Sequence, residues 1–267
     1  MRELWAVKPG SKVDLATFDP ADTKPLKGGH AAALAALEHD HKALAGLQTR
    51  LFAEGLQSVL LILQGTDASG KDGTIAHVFQ GVNPQGTRVV SFKAPTDEEL
   101  AHDFLWRVHR AVPRAGEIGI FNRSHYEDVL VARVRKLVPK KVWKPRYDDI
   151  VAFESLLAQS GVALVKCCLL ISRDEQRRRF EERLADPQKR WKFQRGDIAD
   201  RELWSQYQRA YSDAIERTST NVAPWYVIPA DVKWFRNWAI SRVLIETLTA
   251  MNPKYPVRDD LDGVTIP

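Results

Sequence analysis

The sequence predicts an α/β fold in which a parallel sheet lies between two layers of helices. Short, continuous apolar runs alternate along the chain with longer segments of helical periodicity, the order expected of parallel strands joined by crossover helices. The chain has 267 residues, of which 44% are hydrophobic and 27% are charged. This composition excludes wholesale disorder, and the length suits one large domain. We therefore expect a single domain over residues 1–267.

The chain opens with an irregular stretch, residues 1–28, which contains several prolines and glycines and predicts an arm packed on the body. A helix is expected over 30–54, where leucines recur every seven residues, and Gly55 ends it. Apolar runs then predict five buried strands, at 59–63, 88–92, 117–121, 162–171 and 225–228. The helices expected between and after them begin near residue 73 and span 97–111 (with Thr96 as N-cap), about 125–135 and 232–250.

Other features narrow the class of protein. Cys167 and Cys168 are adjacent inside the fourth apolar run, which indicates core residues in a reducing compartment and hence a cytoplasmic protein. No apolar run approaches the roughly 18 residues of a membrane span, and the N-terminus lacks the pattern of a secretory signal. The net charge of +5 is modest and agrees with a polyanionic partner.

The strongest chemical signal is the segment GTDASGK, residues 65–71, directly after the first predicted strand. The spacing G-x-x-x-x-G-K between a strand and a helix is typical of a phosphate-binding (Walker A) loop. Its glycines let backbone N–H groups converge on phosphate oxygens, and Lys71 adds a full positive charge. The phosphate-binding residues predicted here are Gly65, Ala68, Ser69, Gly70, Asp72, Gly73 and Thr74.

Two carboxylates depart from the usual pattern of this loop. Asp72 follows Lys71 where a Ser or Thr would normally hold Mg²⁺, and Thr74 lies two residues further on. Asp67 lies inside the loop, where a carboxylate repels phosphate unless a cation lies between them. Asp67 is therefore interpreted as a metal-side ligand or a base near the acceptor, with a turn-stabilising residue as the alternative.

A second set of polar residues, FNRSHYED at 121–128, follows the third predicted strand. Parallel sheets bind ligands at such carboxyl ends. Arg123 could clamp a transferring phosphoryl group, and Glu127 or Asp128 could complete a Mg²⁺ site with Asp67. Neighbouring residues of a helix point in different directions, so Glu127 is favoured.

The segment 172–220 is rich in arginine and lysine, interleaved with aromatic residues. Its length and charge predict a helical lid over a phosphate-rich ligand. A solvated helical face, neutralised by the acidic residues of the same segment, is the alternative.

Together these motifs resemble the family-2 polyphosphate kinases, and most of all their polyphosphate:nucleotide phosphotransferase branch, which acts on AMP and ADP. The resemblance runs from about residue 15 to residue 250 and rests on GTDASGKDGT (65–74), GVNPQG (81–86), FNRSHYED (121–128) and KRWKF (189–193). It implies a three-layer α/β/α P-loop kinase fold of the thymidylate-kinase type with a helical lid. It also implies Mg²⁺ (with Mn²⁺ as a substitute) and a homo-oligomer, dimer or tetramer. The implied reaction is reversible phosphoryl transfer between inorganic polyphosphate and nucleoside mono- or diphosphates.

Site residues follow from the same resemblance. Asn122 stands where many relatives outside this branch have Asp, which leaves open which side chain completes the metal shell. The implied catalytic residues are Asp67, Lys71, Arg123 and Arg179; the implied basic lid positions are Arg183, Lys189 and Lys192; and the implied metal ligands are Asp67, Asn122 and Glu127.

Two other functions remain as alternatives. An ATP-dependent nucleoside or nucleoside-monophosphate kinase would share the fold and the loop. A non-catalytic nucleic-acid-binding protein is less well supported, because no RNA-binding signature or helix-turn-helix pattern is present. We therefore expect inorganic polyphosphate and nucleoside phosphates as partners, with no specific nucleic acid and no membrane.

Overall fold

Five parallel strands form one sheet in the computed structural model, which describes residues 1–266. Their spatial order is β2-β3-β1-β4-β5, so the first strand lies in the middle of the sheet. The predicted parallel α/β class is confirmed. The strands are β1 (Ser58–Gln64), β2 (Thr87–Ser91), β3 (Ile118–Asn122), β4 (Val162–Leu170) and β5 (Trp225–Pro229).

Helices cover both faces of the sheet, and each face has its own apolar core. One core joins β1 and β4 to α1, α2 and α11, and the other joins the opposite strand faces to α5, α7 and α10. Two cores form because buried parallel strands carry apolar side chains on both faces. The helices are α1 (Gly29–Glu54), α2 (Lys71–Val78), α3 (Asp97–Leu100), α4 (Trp106–His109), α5 (Val131–Val134), α6 (Lys140–Trp143), α7 (Arg146–Gln159), α8 (Arg173–Ala185), α9 (Arg195–Glu202), α10 (Trp204–Thr218) and α11 (Lys233–Met251).

Two predicted helices are interrupted. The segment 97–111 starts with the expected Thr96 cap, but it forms α3 and α4 because the Asp103 carboxylate accepts the N–H of Leu105 (2.9 Å) and begins a new turn. The segment 125–135 forms a 3₁₀ turn followed by α5. There Arg146 binds both the carbonyl and the carboxylate oxygen of Asp128 (3.1 Å each), which holds the chain between the two pieces.

The segment 172–220 divides into two parts of different character. Helix α10 buries Tyr207, Tyr211 and Ile215 in the core, so it belongs to a helix layer. Residues 173–202, with α8, a 3₁₀ turn at Arg190–Lys192 and α9, are mostly exposed and carry the basic side chains. We call residues 173–202 the covering segment.

The N-terminal arm and the two cysteines are both part of the sheet region. The N-terminal arm pairs with the edge strand β5 through the antiparallel bridge between Ala6 and Tyr226. Cys167 and Cys168 are free and buried, as expected of core residues. Among residues 1–266, none of the helices has the length and apolar character needed to cross a bilayer.

Candidate functional site

The loop of residues 65–70 joins the carboxyl end of β1 to the first residue of α2, Lys71. Ala68 (φ 62°) and Gly70 (φ 103°) both have left-handed backbone conformations. Left-handed residues in such a turn direct successive N–H groups to one side, and the first N–H groups of α2 add to them. Since β1 lies between β3 and β4, the loop is at the switch point of the sheet, where parallel α/β proteins bind ligands.

Lys71 is buried, and its ammonium group folds back on the loop. Its Nζ donates to the carbonyl oxygens of Gly65 (2.7 Å) and Thr66 (3.2 Å). Burial, together with the nearby charge of Arg123, lowers the pKa of Lys71 to about 8. A bound anion would restore the charge of the lysine by providing the missing counter-ion.

The lowered pKa of Lys71 predicts a pH dependence of anion binding. Below about pH 8 the amine is charged, and as the pH rises through this value the amine loses its proton and its attraction for anions. Affinity for sulfate, a phosphate analogue of constant charge in this range, should fall roughly tenfold between pH 7 and pH 9. Calorimetric titration of the protein with sulfate at several pH values measures this. A flat profile, or an equal slope in Lys71→Ala, would contradict the assignment.

Two hydroxyl groups of the loop region are buried without a protein partner. Among the described residues, no group hydrogen-bonds to Ser69 Oγ or to Thr74 Oγ1. Buried polar atoms are normally paired, and unpaired ones often mark a functional site. Both residues are fully buried, and neither is among the described residues that line the cavity beside the loop.

Arg123 follows β3 and reaches the same loop. The strand register pairs Leu63 with Asn122, and the N–H of Arg123 donates to the Leu63 carbonyl. Arg123 is itself left-handed (φ 64°), a strained conformation that is uncommon for a residue other than glycine. Its guanidinium donates to Asp67 (2.5 Å) and to Glu127 (3.0 Å). Glu127 above all, and Asp67 after it, raise the pKa of Arg123, so the group is permanently charged.

A buried polar network holds the residues that follow Arg123. Tyr126 is fully buried and donates to Glu154 (2.8 Å), which pairs with Lys166 at 2.6 Å. This network holds the turn after β3 against the sheet. Asp128 pairs with Arg146 of α7 at 3.1 Å, so its carboxylate already has a positively charged partner.

Arg179 lies beneath the loop and has no N–H donor left for a ligand. Its Nη1 donates to the carbonyls of Ala68 (2.9 Å) and Ser69 (3.1 Å), and its Nη2 to those of Ala230 and Asp231 (2.7 Å each). The Nε donates to Glu175 (2.7 Å). The five donors of an arginine are therefore all used. In this structure Arg179 ties α8 and the segment after β5 to the loop, while its catalytic role stays a prediction.

The covering segment and the loop line an open cavity of about 810 Å³. Asp72 lies at its side, where it accepts from Asn122 (2.7 Å) and faces Lys192 at 3.9 Å. The Asp72 carboxylate cannot bind phosphate itself, so only its backbone fits the predicted role. The predicted site residues that line the cavity are Asp67, Ala68, Gly70, Lys71, Asp72, Gly73, Asn122, Arg123, Arg179, Arg183, Lys189 and Lys192.

Comparison with known proteins agrees with this geometry. The family model described as Polyphosphate kinase 2 matches residues 29–256. The chain belongs to the Polyphosphate kinase 2 family. The AMP/ADP-polyphosphate phosphotransferase of Meiothermus ruber is 56% identical over 94% of each chain, and the ADP-polyphosphate phosphotransferase of Rhodopseudomonas palustris is 41% identical over 94% of this chain and 91% of its own. The crystal structure of Polyphosphate Kinase 2 from Arthrobacter aurescens superimposes with a TM-score of 0.93 at 45% identity, over 96% of this chain and 92% of that one.

The Mg²⁺ implied by the Polyphosphate kinase 2 family can be tested against the donors in the cavity. Within residues 1–266 no cluster of three His, Cys, Asp or Glu side chains is placed to hold a metal alone. Mg²⁺ needs only one or two carboxylates when waters and substrate phosphates supply the other oxygens. Asp67 and Asn122 both line the cavity and fit this partial role. Glu127 binds Arg123 and is not among the described cavity-lining residues, so its part in the metal shell stays a prediction.

Sequence reasoning about this Polyphosphate kinase 2 family member missed the contribution of α11. Lys233, Arg236 and Asn237 also line the cavity, and Arg236 Nη1 donates to the Ser69 carbonyl at 3.1 Å. The sequence does contain one indication of this contribution. Arg236 stands directly after Phe235 and close before Trp238, within the buried stripe of the last helix, where a charged residue is unexpected.

Proposed function

We propose that this protein transfers a phosphoryl group from inorganic polyphosphate to a nucleoside mono- or diphosphate, converting AMP to ADP and ADP to ATP. The observation that supports this proposal most directly is that the phosphate loop, Arg123 and the basic side chains of the covering segment line one cavity. The names of the relatives at 56% and 41% identity support the same donor and acceptors.

The residues of the chain account for the chemistry of this transfer. The loop amides and Lys71 hold the phosphates at the reacting centre, because they supply converging donors and one positive charge. Arg123 neutralises the charge that develops on the transferring group, and its pairs with Asp67 and Glu127 fix its direction. Mg²⁺, held by Asp67 and Asn122, would supply further charge neutralisation on the phosphate oxygens. Donor and product are both phosphoanhydrides, so the transfer should be readily reversible.

The covering segment is proposed to act as the lid. Gln176 Nε2 donates to the Asp67 carbonyl (2.9 Å), which links α8 directly to the loop. Arg183, Lys189 and Lys192 then extend the positive charge beyond the loop. A long polyanion held by such a row of cations should bind in a strongly salt-dependent manner, as nucleic-acid backbones do.

The setting and assembly of the protein are further proposals. A cytoplasmic location agrees with two free, buried cysteines and with nucleotide substrates. A homo-oligomer, dimer or tetramer, agrees with exposed apolar side chains on and after α1, namely Leu34, Phe52 and Leu56. Nucleic acids and membranes are not expected as partners.

A donor-by-acceptor activity matrix tests the proposed function. Purified protein with Mg²⁺ is mixed with polyphosphate or ATP as donor and with AMP, ADP or a nucleoside as acceptor, and the products are separated chromatographically. We expect ADP and ATP from the polyphosphate mixtures. Transfer from ATP to a nucleoside or a nucleoside monophosphate, with none from polyphosphate, would instead establish the alternative kinase.

Asp67→Asn is expected to lower kcat about 100-fold or more. The amide keeps the size of the side chain but removes the negative charge that faces Arg123 at 2.5 Å and that is proposed to hold Mg²⁺. The dependence of the rate on Mg²⁺ concentration should shift to higher values in this variant. Asp174→Asn, at an exposed position of α8, is the matched control. Near-normal turnover by Asp67→Asn would refute the metal-side role.

A further inference from the structure

Arg236 is a buried cation without a buried anion beside it. Its side chain is 3% exposed, and no carboxylate among residues 1–266 lies within 4.0 Å of its guanidinium. Burial, with a smaller contribution from Arg179, lowers the pKa of Arg236 to about 9. A buried charge without a partner destabilises a folded protein, so its presence calls for a ligand that compensates it.

The hydrogen bonds of Arg236 leave part of its donor capacity unused. The Nε and Nη2 atoms donate to the side-chain oxygen of Asn237 (3.2 and 2.8 Å), and Nη1 donates to the Ser69 carbonyl (3.1 Å). An arginine has five N–H donors, so two of them have no acceptor among the described residues. Arg179, in contrast, uses all five on the protein and pairs with Glu175.

The guanidinium of Arg236 lies against the start of α2. A Cβ on Gly70 would lie 1.8 Å from Nη1, and one on Gly73 would lie 3.5 Å from Nη2. The left-handed backbone of Gly70 favours glycine, and a side chain there would also displace the Arg236 guanidinium. Arg236 therefore lies in the wall of the cavity, beside the phosphate loop.

The two ends of the cavity differ in chemistry. The side of the cavity that follows β2, at one edge of the sheet, is lined by Ser91, Phe92 and Lys93, and Phe92, which is 7% exposed, is the one apolar side chain among these three. The end beside α11, which follows the opposite edge strand, is lined by the polar side chains of Lys233, Arg236 and Asn237, and Lys233 faces Glu182 at 3.7 Å. Such a surface suits a ligand that is phosphate along its whole length.

We propose that Arg236 binds a non-reacting phosphate of the polyphosphate donor, next to the phosphate that the loop holds. Lys233, one turn earlier on α11, lies at the same end of the cavity and would bind the following unit. The acceptor nucleotide then occupies the opposite end of the cavity, next to the carboxyl end of β2. This assignment rests on the proposed function, because it presupposes that polyphosphate is the donor.

Arg236→Gln tests the proposal through binding, independently of turnover. Tripolyphosphate and AMP are titrated separately by calorimetry against the full-length wild-type protein and the variant, at several salt concentrations. We expect the variant to bind tripolyphosphate at least tenfold more weakly, with a salt slope reduced by about one, and to bind AMP within twofold of wild type. Arg209→Gln, an exposed position on α10, should bind both ligands as wild type does.

Other outcomes overturn the proposal. Unchanged tripolyphosphate affinity in Arg236→Gln, or no tripolyphosphate binding by the wild type, refutes the donor subsite. An equal loss of AMP affinity assigns Arg236 to the loop structure or the acceptor instead. If Arg236→Gln does not fold, Arg236→Lys, which keeps the charge, must retain more tripolyphosphate affinity than Arg236→Met. Wild-type binding of tripolyphosphate without transfer from polyphosphate would refute the proposed function while leaving the subsite in place.

Discussion

Lys71→Ala should lower kcat/KM with polyphosphate about 1,000-fold, equivalent to roughly 4 kcal/mol of transition-state stabilisation. The substitution removes the ammonium group that lies within the loop and bonds the Gly65 and Thr66 carbonyls. The fold should persist, because a buried lysine whose pKa is lowered to about 8 is held at a cost to stability. Initial rates with AMP and polyphosphate measure the loss, and a thermal melt checks the fold.

Lys42→Ala on the exposed face of α1 is the matched control for Lys71→Ala. It removes one lysine charge at a distance from the cavity and should leave both rate and melting temperature unchanged. Turnover by Lys71→Ala within tenfold of wild type would contradict the assigned role. So would a melting temperature that falls far enough to explain the lost activity.

Arg179→Ala should destabilise the protein by about 3 to 5 kcal/mol, because four carbonyl oxygens and Glu175 lose their donor together. Activity should fall as well, since the carbonyls of Ala68 and Ser69 belong to the phosphate loop. Denaturant unfolding of the variant and the wild type gives the difference in free energy. Arg179→Lys retains a charge but only part of the bonding, so an intermediate stability is expected.

Arg178→Ala is the neighbouring control on the same helix. Arg178 is half exposed and pairs with Glu175 and Glu182 at the surface. Exposed ion pairs contribute little, so its loss should cost less than about 1 kcal/mol. Equal stability of the two alanine variants would show that Arg179 does not tie the covering segment to the loop. If Arg179→Ala kept full stability but lost all activity, Arg179 would instead have a catalytic role.

The strands were predictable because their signal is local. A buried parallel strand needs an uninterrupted apolar run, and the run at 59–63 lies inside β1, Ser58–Gln64. The interrupted helices were less predictable. Helical periodicity over 97–111 does not reveal that Asp103 will bond the Leu105 N–H in preference to continuing the helix. A side chain that competes for one backbone group leaves the apolar period nearly unchanged.

The candidate site was likewise only partly predictable from the sequence. The loop GTDASGK could be located from sequence, since strand, turn and helix are consecutive there. The roles of the arginines could not, because they depend on which acceptors surround each guanidinium. Arg179 stands in a basic run, and its five donors are used by four carbonyls and Glu175, whereas Arg236 stands among apolar residues and leaves two donors unbonded within the described residues.

The sequence alone determined the parallel α/β class, the position of the phosphate loop and the arginine that follows β3. These depend on residues close together in the chain, and local periodicity and spacing are sufficient to indicate them. Only the tertiary structure decided which cations remain available to phosphate. That property depends on how Ser69, Ala230 and Asp231 converge from separate parts of the chain, and the free energy of a buried charge is set by such neighbours.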